Sequence, residues 1–192
     1  MIRLDFITIA QWIPSGSNIL DLGSGDGALM KYLKKEKDAK GYGVEISDQN
    51  MEKSIGNKVN TLQMNLEDGL SIFTDNMFDF VILSQTLQSI VHIEKILAEM
   101  HRVGKNIIVT FPNFGYWKNR LQIINGKMPV SKELPYEWYN TPNVHLCTIN
   151  DFKELCSRKK YKIHQQLFLT NNQKISLAPN FFASLALFKI TK

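Results

Sequence analysis

Cysteine is scarce. The 192 residues hold two, Cys147 and Cys156, too few for the disulfide framework of a small secreted domain. Long apolar runs are lacking as well: Phe181 to Ile190 is among the longest, and it is too short to cross a bilayer as a helix. At the N-terminus, Met1-Ile2-Arg3-Leu4-Asp5 brings an acid at once with no apolar stretch behind it, unlike a secretory leader. These absences point to a cytoplasmic protein in a reducing compartment, with no membrane partner. Internal repeats, low-complexity segments and metal-ligand clusters at useful spacing are also missing. The net charge of +5 is a mild basic excess, part of it in Lys31, Lys34, Lys35, Lys37 and Lys40. Glu36 and Asp38 interrupt that run and Tyr32 is its one aromatic. A nucleic-acid surface interleaves bases with aromatics or glycine. This run reads instead as a solvated helix end whose lysines face the negative pole of the helix dipole, and no nucleic-acid partner is expected.

What is present is a regular alternation of strand and helix patterns. Strands are expected at Asn18–Leu22, Lys40–Ile46, Lys58–Met64, Phe78–Leu83 and Asn106–Phe111. Phe78-Asp79-Phe80-Val81-Ile82-Leu83 is nearly continuous in apolar residues, as in a strand covered on both faces. Helices are expected at Leu4–Ile13, Ala28–Lys35, Asp48–Gly56, Ile90–Val103 and Thr148–Arg158, the last capped by Asn150. Helix-length connectors between strands specify a parallel sheet with right-handed crossovers. Two β-rich runs, Tyr161–Thr170 and Phe181–Ile190, then follow with a polar loop and no helix between them, so they should pair as an antiparallel hairpin. The expected architecture is one α/β, Rossmann-like domain over 1–192. Its sheet has seven strands, mostly parallel, ends in the hairpin, and carries helices on both faces.

Asp21-Leu22-Gly23-Ser24-Gly25-Asp26-Gly27 joins the first strand to a helix. Its glycines allow left-handed backbone angles and close approach to a ligand, and loop amides at a helix N-terminus favour an anionic group such as a carboxylate. The spacing is G-x-G-x-G, where a nicotinamide fingerprint reads G-x-G-x-x-G. Asp21 ahead of the loop suits a cationic amine better than a pyrophosphate. Glu45 ends the second strand, where an acid can accept from ribose hydroxyls. After the third strand, Asn65 can meet an adenine amino group and Leu66 can pack on the ring. Ser84 and Gln85, after the fourth strand, can touch the methionine end of the ligand or form an ordinary strand-end turn. The expected cofactor-binding set is therefore Asp21, Gly23, Ser24, Gly25, Glu45, Ile46, Asn65, Leu66, Ser84 and Gln85, and the expected ligand is S-adenosylmethionine or S-adenosylhomocysteine.

This pattern resembles the class I S-adenosylmethionine-dependent methyltransferases along most of the chain. It is closer still to the methionine-biosynthesis protein MetW family. Arg3-Leu4-Asp5, Leu20 to Gly27, Gly41 to Ile46 and Ile82 to Gln88 carry the likeness. Phe111-Pro112-Asn113-Phe114-Gly115, Met128-Pro129-Val130, Leu134 to Asn143 and His145-Leu146-Cys147-Thr148 extend it into segments that ordinary methyltransferases lack. Ser24 stands where the family usually has Cys, and Asn65 where it usually has Asp. The resemblance implies a role in methionine biosynthesis and a homoserine O-acyltransferase as partner.

Residues 114–147 form a long insertion before the next helix, and it holds Tyr116, Trp117, Tyr136, Trp138 and Tyr139. A connector of this length usually has a function of its own. It can be a small satellite core, a substrate lid, or the surface that meets the acyltransferase. No diagnostic catalytic set is present: Ser84-Gln85-Thr86-Leu87 stands where amide methyltransferases often carry Asn-Pro-Pro-Tyr or Asp-Pro-Pro-Tyr. His92 and His101 read as the solvated face of a charged helix. His145 and Cys147, two apart on an extended stretch, share one face as a conceivable dyad or as simple packing. Two functions stay open: a regulatory S-adenosylmethionine-binding subunit of the acyltransferase, and a methyltransferase with an unidentified acceptor. Nicotinamide oxidoreduction is disfavoured by the glycine spacing.

Overall fold

A computed structural model describes residues 3–192. Helix α1 (Leu4–Trp12) precedes the alternating units β1 (Asn18–Leu22), α2 (Ala28–Lys37), β2 (Lys40–Glu45), α3 (Asp48–Gly56) and β3 (Thr61–Gln63). β4 (Phe78–Ser84), α4 (Ile93–Val103) and β5 (Gly104–Pro112) follow. After α5 (Trp117–Ile124) and α6 (Ile149–Lys159) come β6 (Lys162–Thr170), β7 (Gln173–Lys174), α7 (Pro179–Phe182) and β8 (Leu185–Thr191). The strands make one sheet in the order β3-β2-β1-β4-β5-β8-β6-β7. The first five are parallel; β8 inserts antiparallel between β5 and β6.

Strand alternation sends side chains to two cores. Leu20, Leu22, Val81, Leu83, Val109 and Phe111 meet Ile96, Leu97 and Met100 of α4 and Phe152 of α6 on one face. Ile19, Phe80, Ile82 and Ile108 meet Ile9 of α1 and Leu29, Met30 and Leu33 of α2 on the other. Helices on both faces explain why β4 is apolar along nearly its whole length.

The α/β architecture with its closing antiparallel hairpin is as expected, and several boundaries differ. An eighth strand, β7, is a two-residue extension of the hairpin: Leu169 pairs with Lys174 and Thr170 with Gln173. Phe181 and Phe182 belong to the one-turn helix α7, which Pro179 opens, so β8 begins only at Leu185. The cap of α6 is Thr148, not Asn150. Thr148 and Asp151 form a reciprocal capping box, which satisfies two helix-end donors where Asn150 would satisfy one. Ahead of α4, residues Leu87–Ser89 wind as a short 3-10 turn, and the helix starts at Ile93. Lys34, Lys35 and Lys37 lie in the last turn of α2, as the dipole argument requires. Among the described residues no helix is long and apolar enough to cross a membrane, and no group of three or more His, Cys, Asp or Glu could hold a metal ion.

Candidate functional site

β1 has β2 on one side and β4 on the other. The chain leaves β1 in one direction and returns on its opposite flank, so a crevice opens at the carboxyl ends of these strands. Leu22, Glu45, Gln63 and Ser84 are the last residues of β1 to β4. Two cavities of about 400 and 200 Å³ lie there and share Gly23, Gly25 and Gln85. The larger is lined by Glu45, Ile46, Asn65 and Leu66, the smaller by Asp21, Ser24 and Ser84. All ten residues singled out by sequence thus converge on one crevice.

Gly23 and Gly25 have φ of +67° and +55°, which L side chains adopt only at a cost. Their reasons differ. A Cβ at Gly23 would lie 2.5 Å from both the Cγ2 and the Oγ1 of Thr86, whereas one at Gly25 would meet nothing within 4 Å. Gly23 lets two loops pack, and Gly25 keeps space open over the cavities.

Asp21 is 1% exposed, and its Oδ1 has no hydrogen-bond partner. Burial, and then the nearby charge of Glu45, push its carboxyl up to about 7. A buried carboxylate with an open oxygen costs stability unless something cationic meets it. Ser24, also buried, leaves its Oγ without a partner. Glu45 is held firmly: Oε2 accepts from the Gly25 amide at 2.8 Å, and Oε1 from Ile46 and Ser47 at 3.0 and 2.9 Å. A carboxylate offers about four acceptor sites, so Glu45 keeps room for one hydroxyl without losing an amide.

Asn65 caps the short turn Leu66–Asp68, its Oδ1 accepting from the Glu67 amide at 3.0 Å. That bond aims the amide and leaves the oxygen a second acceptor site. Ser84 Oγ lies 3.2 Å from Thr110 Oγ1. Gln85, at φ +54°, donates its backbone N–H to Thr110 O and Oγ1 at 2.9 and 3.0 Å and its Nε2 to Asp5 at 3.3 Å. A non-glycine residue held in the left-handed region is costly and is kept by its surroundings; here both cavities border it.

One expectation for the loop is narrowed. Four of its amides are already engaged: Ser24 N donates to Val44 O, Gly25 N to Glu45, Gly27 N to Ser24 O, and Ala28 N to Asp26 Oδ1. The glycine turns need these bonds to hold their shape, so those four donors do not await an anion. The ten-residue set expected from sequence also leaves out residues that line the two cavities, although the first helix, with Phe6, was expected to cover part of the site. Arg3 and Phe6 line the smaller cavity, and Met64, Glu67, Thr86 and Ile90 the larger. Asp5, 2% exposed, is tied to Arg3 and Gln85. The available signal was an acid at the second position of α1 with Arg two residues before it.

The histidines divide. His92 is exposed, as expected. His101 is not on a solvated face: its ring centroid lies 4.2 Å from that of Tyr161, and its Nε2 is buried without a partner. Burial, then the charge of Lys192, pull it down to about 4. α6 and β6 bring Tyr161 over α4, a long-range contact that helical periodicity does not report. His145 Nε2 meets Val91 O at 3.1 Å, while Cys147 Sγ meets Thr148 O. Burial pushes the Cys147 thiol up to about 12, so the pair is packing and not an activated dyad.

The insertion is also divided. Tyr116 is 6% exposed and leads into α5, but Trp138 and Tyr139 are 72% and 70% exposed, with Trp117 and Tyr136 between. Trp138 and Tyr139 meet edge to face at 5.7 Å. Leu121, Ile123, Ile124, Met128 and Val130 add exposed apolar surface nearby in sequence. Val144 and His145 N–H groups bond Gln88 O at 2.8 and 3.0 Å, which ties the insertion to the loop that borders the crevice.

Among solved structures, the fold is similar to an S-adenosylmethionine-dependent methyltransferase from Thermotoga maritima, with a TM-score of 0.69 at 19% identity over 98% of this chain and 88% of that one. One from Archaeoglobus fulgidus gives a TM-score of 0.72 at 14% identity over 98% of this chain and 93% of that one. In sequence, the chain is 32% identical over 189 residues to the bifunctional methionine biosynthesis protein MetXA/MetW of Rhodopirellula baltica, covering 93% of this chain. It spans 30% of that relative's length. The family model described as methionine biosynthesis protein MetW matches residues 3–190. The chain belongs to the MetW family of methionine biosynthesis proteins.

Proposed function

We propose that this protein binds S-adenosylmethionine or S-adenosylhomocysteine in the crevice and, so loaded, supports a homoserine O-acyltransferase in methionine biosynthesis. The open oxygen of buried Asp21 carries the first half of the reading. It waits beside the smaller cavity for a cationic group, and the ligand's ammonium supplies one. Glu45 offers a fixed acceptor to a ribose hydroxyl, Asn65 an aimed amide oxygen to the adenine amino group, and Leu66 and Met64 apolar cover for the ring. When bound, S-adenosylmethionine would supply an activated methyl group. The residues of this chain bind and orient the ligand, and Gly23 and Gly25 let the backbone pass close to it.

The partner half rests on the resemblance, on the MetXA and MetW parts that share one chain in the Rhodopirellula relative, and on the exposed aromatics of the insertion. Trp and Tyr are favoured at interface hot spots, and Gln88 links this surface to the ligand loop. A methyltransferase with an unidentified acceptor is the second reading, favoured by the likeness of the fold to S-adenosylmethionine-dependent methyltransferases. The test is pull-down and activation of the acyltransferase with and without the ligand, using wild type and Trp138→Ala. The expected result is that Trp138→Ala weakens activation and capture at least tenfold while ligand affinity stays within about twofold, a truncation of roughly 1.4 kcal/mol or more. Unchanged capture with Trp138→Ala removes that residue from the interface, and no capture by wild type refutes the partnership.

A further inference from the structure

Resting on that ligand reading, we propose that residues 85–91 are a regulatory wall: filling the larger cavity locks Val144 and His145 onto it, and with them one side of the cavity beside Trp138. The ligand thereby governs the insertion surface from a distance.

One face of the segment belongs to the ligand crevice. Gln85, Thr86, Ser89 and Ile90 line the larger cavity. Thr86 Oγ1 donates to Gly23 O at 3.4 Å, and the Val91 amide donates at 2.6 Å to Glu67, itself on the cavity wall. The other face carries the insertion. Gln88 O accepts from Val144 N and His145 N at 2.8 and 3.0 Å, and His145 Nε2 donates to Val91 O at 3.1 Å. Val144 and Leu146 then line a cavity of about 160 Å³ together with Tyr136 and Trp138. Contacts thus run without a gap from the crevice to the exposed Trp138.

The segment is also poised to shift. One carbonyl, that of Gln88, holds two amides, so rotation of a single peptide plane frees both. Leu87–Ser89 is a 3-10 turn, whose hydrogen bonds are poorer than those of an α-helix. Gln85 ahead of it sits at φ +54°. Gln88 Oε1 is buried with no partner, while its Nε2 donates to Gln85 O at 2.6 Å. The left-handed residue and the unpaired oxygen both cost free energy and persist only through their surroundings. A ligand against Thr86, Ser89 and Ile90 changes those surroundings, and the balance between docked and released Val144–His145 moves with it.

Coupling of this kind is reciprocal. If the ligand slows exchange of the two docked amides by some factor, a variant that cannot dock loses ligand affinity by the same factor. Hydrogen exchange of residues 142–147, with and without saturating S-adenosylhomocysteine, should show the Val144 and His145 amides slowed roughly fivefold or more, with the amides of α6 unchanged. His145→Ala removes the bond to Val91, and Gln88→Ala frees the turn; neither residue lines the two ligand cavities. In both variants the two amides should exchange fast with or without ligand, and calorimetry should find S-adenosylhomocysteine affinity lowered by the factor read from wild-type exchange. Wild type that binds the ligand with unchanged exchange at residues 144 and 145 overturns the coupling and leaves the ligand reading intact, whatever the variants do. Fast exchange in a folded variant that keeps wild-type affinity overturns it as well. Wild type that binds no ligand overturns both.

Discussion

Asp21 should make ligand binding and stability respond to pH in opposite directions. Its carboxyl is pushed from the ordinary 3.8 up to about 7, first by burial and then by the charge of Glu45. The folded pKa is raised, so between pH 3.8 and 7 the folded state holds a proton that the unfolded state has released. Stability tied to this group is complete below pH 3.8 and is lost as pH rises to about 7. The rise corresponds to about 4 kcal/mol. Asp21→Asn should therefore leave the ligand-free protein unchanged near pH 4 and stabilise it by up to about 4 kcal/mol at pH 8, read from urea unfolding at the two pH values. Binding follows the other sign. A cationic ammonium prefers ionised Asp21, so below pH 7 binding must expel a proton, and affinity for S-adenosylhomocysteine should fall about tenfold per pH unit from 7 to 5. Calorimetry at pH 6 in buffers of different ionisation heat should show about one proton released by wild type and none by Asp21→Asn. The variant should have a flat pH profile and bind roughly tenfold to a hundredfold more weakly at pH 8. A flat profile in wild type, or the same slope in both proteins, would refute the assignment of the open oxygen to the ligand's cation.

The two glycines should part company. Gly25→Ala meets open space and costs only left-handed strain, about 1–2 kcal/mol by thermal melting, yet should abolish measurable S-adenosylhomocysteine binding; wild-type affinity would mean the ligand does not approach this turn. Gly23→Ala drives a methyl into Thr86 and should lose folding stability and binding together. His101, pulled down to about 4 by burial and then Lys192, has the lowered folded pKa of a group buried neutral. Stability tied to it is present above 6.5 and lost as pH falls toward 4. His101→Phe should remove that part of the acid limb, and an unchanged limb in urea titrations from pH 7 to 4 would place the cause elsewhere.

Local patterns sufficed for much of this protein. β1 and α3 have the predicted ends because Asn18–Leu22 and Asp48–Gly56 are bounded by strong local signals: a glycine turn, and Ser47 capping ahead of Asp48. The meeting of the ten candidate residues in one crevice was legible because the carboxyl ends of parallel strands share one edge, so residues at or just after the ends of successive strands converge there. Tertiary contact decided the rest. Chain order says nothing of where β8 lies, and pairing to both β5 and β6 put it between them. Asp5 reads as an ordinary first-turn acid of a helix, and its burial under Gln85 spans 80 residues. His101 repeats on a charged face, but Tyr161 covers it. The amides of the glycine loop look free in sequence, yet the carbonyl of Val44 and the carboxylate of Glu45, both on β2, consume two of them. Periodicity and turn chemistry act over a few residues and so are written locally. Which buried groups find partners depends on atoms brought together from distant segments, and only the folded chain sets that.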